Sequence, residues 1–131
     1  MNSKLRKTGL SQVVEAPLGT HFCNFYQTKE DLLEIFIPFI KTGLENNELC
    51  VVVGSEPLDE AAALKAFQQA IPDFDRYLNR RQVEFVPFTE LQQGSVEFDP
   101  QKPADFINSR LNLAREKSFD GVRMANNVSW F

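Results

Sequence analysis

HFCNFYQTKEDLLEIFIPFIKTG, residues 21–43, is the stretch on which the fold turns. His21–Tyr26 reads as a short strand, the next residues as a tight loop, and the remainder as a long apolar helix. Thr28 stands where a helix cap belongs, and Asp31, three residues on, imitates a capping box. Leu32, Leu33, Ile35, Phe36, Phe39 and Ile40 form a wide apolar stripe at helical spacing. Pro38 removes one backbone donor and predicts a kink. Gly43 and Asn46-Asn47 end the helix.

Downstream, Leu49–Val53 is a nearly unbroken apolar run, the pattern of a parallel strand covered on both faces. Pro57 and Asp59 open a helix through about Ala70, and a further turn or two covers Asp73–Asn79. Gln82–Val86 alternates as a strand and stops at Pro87. After a polar connection, Gly94–Lys102, Pro103 begins a helix running to about Lys117, and Val122–Ala125 is a last strand. Upstream, residues 1–17 are polar and weakly patterned, a flexible lead-in to one domain over residues 18–131. The order βαβαβαβ predicts an α/β three-layer sandwich with a mainly parallel sheet and helices on both faces. The apolar ending Ser129-Trp130-Phe131 reads as a domain shortened at its C-terminal end, whose open edge would favour a homodimer.

With 131 residues and 43% hydrophobic content, the chain can bury a core as a single domain. The 12 phenylalanines point to an aromatic-rich core, or to rings lining an apolar cavity or interface. A net charge of −4 gives no drive toward nucleic acid or anionic lipid. The longest apolar stretch, around Ile35–Ile40, is too short to cross a bilayer. Cys23 and Cys50 in apolar surroundings fit a reduced, cytoplasmic protein.

A phosphate loop needs glycines so that successive N–H groups converge, a lysine for the β/γ oxygens and a hydroxyl for magnesium. Tyr26–Glu30 contains no glycine, and Thr28 and Lys29 stand in the wrong order. Glu30 and Asp31 stabilise the helix start but repel a phosphate. Nucleotide hydrolysis is therefore not expected, and no cofactor is implied.

The spacing of Gly43-Leu44, Asn47-Glu48, Cys50–Val53 and Glu56 resembles that of RecA-like ATPases just after their phosphate loop. A more specific resemblance is to the MEDS domain, the methanogen/methylotroph sensory domain, which looks like a RecA-related fold without that loop. It rests on His21-Phe22-Cys23-Asn24-Phe25-Tyr26, the helix end Pro38-Phe39 to Gly43-Leu44, Cys50–Val53, Arg123 and Ser129-Trp130. Two departures stand out: the usual Gly-Glu before the second strand is Asn47-Glu48, and a Gly-Glu-Met-Ser-Trp ending becomes Asn126-Asn127-Val128-Ser129-Trp130. The resemblance implies a non-enzymatic sensory input module for a small molecule, such as a small hydrocarbon derivative, relaying to a histidine-kinase or DNA-binding output module. The rival readings are a protein-interaction module without a small ligand, and a degenerate nucleotide binder.

The candidate ligand-binding residues are His21, Cys23, Tyr26, Arg123 and Trp130, with Asn24, Ser55 and Glu56 as secondary candidates. On a strand, His21 and Cys23 share one face; they read as core residues, as ligand contacts, or as two donors to a soft metal, though a structural zinc needs four. A thiol–imidazole nucleophile is disfavoured by their spacing and by the lack of any marked oxyanion hole. Asn24, Tyr26, Ser55, Glu56 and Trp130 fall near the carboxyl ends of strands, where open parallel sheets bind ligands. Arg123 lies in an otherwise apolar strand and needs a partner, for which Glu84 is the expected residue, or a place in the ligand crevice.

Overall fold

The computed structural model describes residues 5–10, 15–17, 19, 20, 22, 26–54, 59–91, 97 and 99–127. Its centre is the strand β3, Glu48–Gly54, buried at every position but the last. Two parallel neighbours flank it: β4, Val83–Pro87, and β5, Gly121–Asn126, in the order β4-β3-β5. Val51 stands opposite Glu84 on one side and Met124 on the other. The expected strands around Leu49–Val53, Gln82–Val86 and Val122–Ala125 are therefore all present and parallel.

The helix α1, Lys29–Glu45, runs ahead of β3. Its capping box is complete: the Asp31 N–H donates to Thr28 Oγ1 at 3.0 Å, and the Thr28 N–H donates to Asp31 Oδ2 at 3.2 Å. Leu32, Phe36, Ile40, Gly43 and Leu44 form its buried stripe, and the helix continues through Pro38. The sharp reversal into β3 places Asn47 at φ 59°, a left-handed conformation in which asparagine is the best-tolerated residue after glycine. That backbone requirement suits the asparagine in the Asn47-Glu48 pair.

Between β3 and β4 lie α2, Glu60–Ala70, capped by Asp59, and α3, Phe74–Asn79. Between β4 and β5 lie the short α4, Phe88–Leu91, which the sequence did not announce, and α5, Gln101–Glu116. Helix α5 starts two residues before Pro103; a proline in the first turn is tolerated because the first N–H groups of a helix have no intrahelical acceptor.

Alternation along β3 divides the core in two. Cys50 and Val52 pack with Phe36 and Ile40 of α1 and with Phe67 and Phe74. Val51 and Val53 pack with Val86, Phe88, Leu91 and Phe106 on the opposite face. Helices thus cover both faces of the sheet, as a three-layer α/β sandwich requires. Phe67, Phe74 and Phe85 meet at centroid separations of 5.7, 5.5 and 6.4 Å, so part of the phenylalanine content is aromatic core.

Two further strands form inside the segment read as a polar lead-in: β1, Leu5–Lys7, pairs antiparallel with β2, Glu15–Pro17. The loop after β1 packs tightly on α1. A Cβ on Gly9, where φ is +81°, would fall 2.2 Å from the Pro38 carbonyl oxygen. Of the strand expected over His21–Tyr26, Phe22 and Tyr26 are described and neither lies in a strand; His21 and Cys23–Phe25 lie outside the described residues. Among the described residues no helix is long and apolar enough to cross a membrane.

Candidate functional site

At the carboxyl end of β5 a cavity of about 250 Å³ opens between the sheet, α1 and the N-terminal segment. The apolar face of α1 supplies Leu32, Ile35, Phe36 and Phe39. Met124, Ala125 and Asn126 supply the sheet side, while Leu10, Thr20, Phe22 and Tyr26 close the remainder. The location is the one expected for an open parallel sheet, outside the carboxyl ends of the strands. Aromatic and aliphatic side chains make up most of the wall, but the surface open to a guest is at least as polar as it is apolar. The Tyr26 hydroxyl accepts a long hydrogen bond from Asn127 Nδ2 at 3.4 Å, and Thr20 Oγ1 donates to the Pro17 carbonyl at 2.6 Å. Among the described residues no charged side chain lines the cavity.

The loop beneath Tyr26 is already engaged. The N–H groups of Gln27 and Thr28 both donate to the Asp31 carboxylate, at 3.3 and 3.2 Å. Two of the donors that a phosphate would draw on at this helix start are bound by the helix's own acid, whose negative charge would also repel it.

Arg123, on β5, is 6% exposed, and its five N–H donors all find acceptors. Nε and Nη2 grip the Glu48 carboxylate at 3.2 and 3.0 Å. Nη1 donates to the Thr8 and Phe39 carbonyls at 3.0 and 2.9 Å, and Nη2 also donates to the Lys7 carbonyl. The guanidinium carbon sits 4.7 Å from the Phe39 ring centroid. Glu48, 2% exposed, takes a second cation, Arg6 of β1, whose Nη2 lies 3.3 Å from Oε2. The partner of Arg123 is thus Glu48 and not the expected Glu84. Strand β3 separates β4 from β5, so Glu84 is two strands away and instead holds Arg110 of α5, whose Nε donates to it at 2.7 Å. The guanidinium is directed under α1 to this clasp, one layer behind the cavity wall.

Cys50 lies in the same layer. Its thiol is fully buried and donates weakly to the Ile40 and Glu48 carbonyls, each at 3.7 Å. Burial, reinforced by the negative charge of Glu48 and partly offset by Arg123, pushes its pKa far above the ordinary thiol value, so it is no nucleophile.

Of the sequence-derived candidates, Tyr26 lines the cavity and Arg123 stands behind it. His21, Cys23, Asn24, Ser55, Glu56 and Trp130 lie outside the described residues. Sequence reasoning missed Leu32, Ile35, Phe36, Phe39 and Met124 as cavity residues, because an apolar stripe has the same spacing whether it meets a core or a void. It also missed Glu48, for which a signal existed: a lone carboxylate entering an apolar strand calls for a cation.

The family model described as MEDS, the methanogen/methylotroph, DcmR sensory domain, matches residues 20–131. No curated protein and no solved structure matches the chain.

Proposed function

The chain belongs to the MEDS family of sensory domains, and from that premise we propose that it senses a small, neutral molecule with an apolar body and a hydrogen-bonding group in the cavity beside Tyr26. The observation that carries this reading is the cavity wall: mostly aromatic and aliphatic side chains, a surface at least as polar as apolar, and no charged side chain among the described residues. An ionised guest would lose part of its hydration there, with no counter-charge among the described residues to offset the loss. At about 250 Å³ the space is also at or below the small end of the usual range of roughly 300–1,000 Å³ for ligand sites, which suits a small guest. A small hydrocarbon derivative carrying one hydrogen-bonding group, met by Tyr26 or Asn126, fits both constraints. The domain then acts by changing shape and relaying to a signalling or transcriptional output, without catalysis. Arg123 supports the wall through Phe39 rather than touching the guest.

The test is a titration followed by two-dimensional NMR. p-Cresol, neutral and apolar with one hydroxyl, is expected to shift the amides of Tyr26, Phe39 and Met124. p-Toluate, of similar shape but charged, should bind at least tenfold more weakly, and ATP with magnesium should shift none of them. Ile35→Trp, which fills the cavity from α1, should weaken p-cresol at least tenfold. Equal binding of p-toluate, or no shift at the cavity residues with p-cresol, overturns the reading.

A further inference from the structure

One guanidinium joins the cavity to the N-terminal hairpin. Arg123 holds Phe39 twice, through the carbonyl at 2.9 Å and through the ring face at 4.7 Å, and that ring is part of the cavity wall. The same guanidinium holds the carbonyls of Lys7 and Thr8, at the end of β1 and just after it. Leu10, two residues further on, is again cavity wall. Arg6 of the same strand ties the hairpin to Glu48 from the other side and donates to the Asn46 carbonyl at 2.6 Å.

Resting on the sensing reading above, we infer that the output of the cavity is the docking of the β1–β2 hairpin, with Arg123 as the link. Leu10 belongs to the docked segment and Thr20 and Phe22 follow shortly after β2, so the cavity wall is more complete when the hairpin is docked. A guest that touches them binds the docked form better, and a ligand shifts an equilibrium only through such a difference in affinity. The transition is discrete rather than gradual. Lifting the hairpin takes the Lys7 and Thr8 carbonyls from a buried guanidinium and the second cation from a buried carboxylate at the same moment. By linkage the effect is reciprocal: whatever loosens the hairpin must weaken the guest by the same factor. Phe39 and Arg123 are positioning residues in this scheme, and the moving part is the segment from Leu5 to Leu10.

Hydrogen–deuterium exchange of the full chain with p-cresol as probe tests the inference. In the wild type, p-cresol should slow exchange over residues 5–10 at least fivefold and leave α2 unchanged. Without any probe, Phe39→Leu, which removes the ring under the guanidinium, should speed exchange over residues 5–10 at least fivefold. Arg6→Gln lies outside the cavity wall and removes the hairpin's ties to Glu48, the Asn46 carbonyl and Asp120 while leaving Arg123 on Glu48; with its fold checked by circular dichroism, it should weaken p-cresol at least threefold. Binding at the cavity with unchanged exchange over residues 5–10, or unchanged p-cresol affinity in Arg6→Gln, overturns the coupling and leaves the sensing reading intact. Absence of p-cresol shifts at Tyr26, Phe39 and Met124 overturns both.

Discussion

Glu48 shares its two oxygens between Arg123 and Arg6, and Cys50, two residues along the same strand, keeps its proton because it is buried and, second, because Glu48 stands beside it. The consequence is measurable at high pH. In the unfolded chain the thiol ionises near its ordinary 9.0, while in the folded chain it remains protonated well above that. Above pH 9 the unfolded state therefore binds fewer protons than the folded one, and stability falls as pH rises, by about 1.4 kcal/mol per pH unit from this group. Urea denaturation from about pH 8 to pH 10.5 should show a steeper decline in the wild type than in Cys50→Ala; equal slopes would mean that the thiol ionises freely in the fold. At this scale the sequence announced that Arg123 needed a partner but not which one. The choice between Glu84 and Glu48 depends on strand order, and a parallel crossover can place the third strand on either side of the second.

The helix α1 was the most legible element. Its cap residues, its apolar stripe and its end could all be read, because each follows from spacing along one helix. Which part of the stripe faces a void could not, since that depends on chain far away in sequence. Gly43 shows why the helix end has the residue it has. A Cβ there would stand 2.7 Å from both Arg123 Cδ and Cys50 Sγ, so α1 can lie over the arginine only with a hydrogen at this position. Gly43→Ala improves helix propensity, yet it should destabilise the protein by about 1–3 kcal/mol through overpacking, measured by chemical denaturation. A neutral or stabilising result would show that the arginine has room to move. The β1–β2 hairpin was the least legible element. Its strands are three residues each, too short for alternation to register, and they are held by backbone carbonyls that any sequence carries.

For the molecule as a whole, the parallel three-layer arrangement was readable from the order of apolar runs, and with it the expectation of a crevice at the carboxyl edge of the sheet. Nearer the amino ends of β3 and β5, the buried clasp joins five pieces of chain: β1, the loop after it, α1, β3 and β5. Its importance can be ranked against the other carboxylate–arginine pair. Glu48→Ala leaves the buried Arg123 without its anion and Arg6 with only the partly exposed Asp120, and should cost about 3–5 kcal/mol, with early proteolytic cleavage in the N-terminal segment. Glu84→Ala, whose pair with Arg110 is partly exposed, should cost under about 1 kcal/mol. Similar losses in a denaturation series would place the anchor of the fold elsewhere. One more consequence follows from β3, whose alternate side chains serve two separate cores. A strand with one wet side can absorb an extra residue by bulging toward solvent, but β3 has no such side. A single codon inserted there would turn Val51 and Val53 into the layer built for Cys50 and Val52, and disorder both cores together. This segment should accept exchanges of one aliphatic for another and reject any change in length.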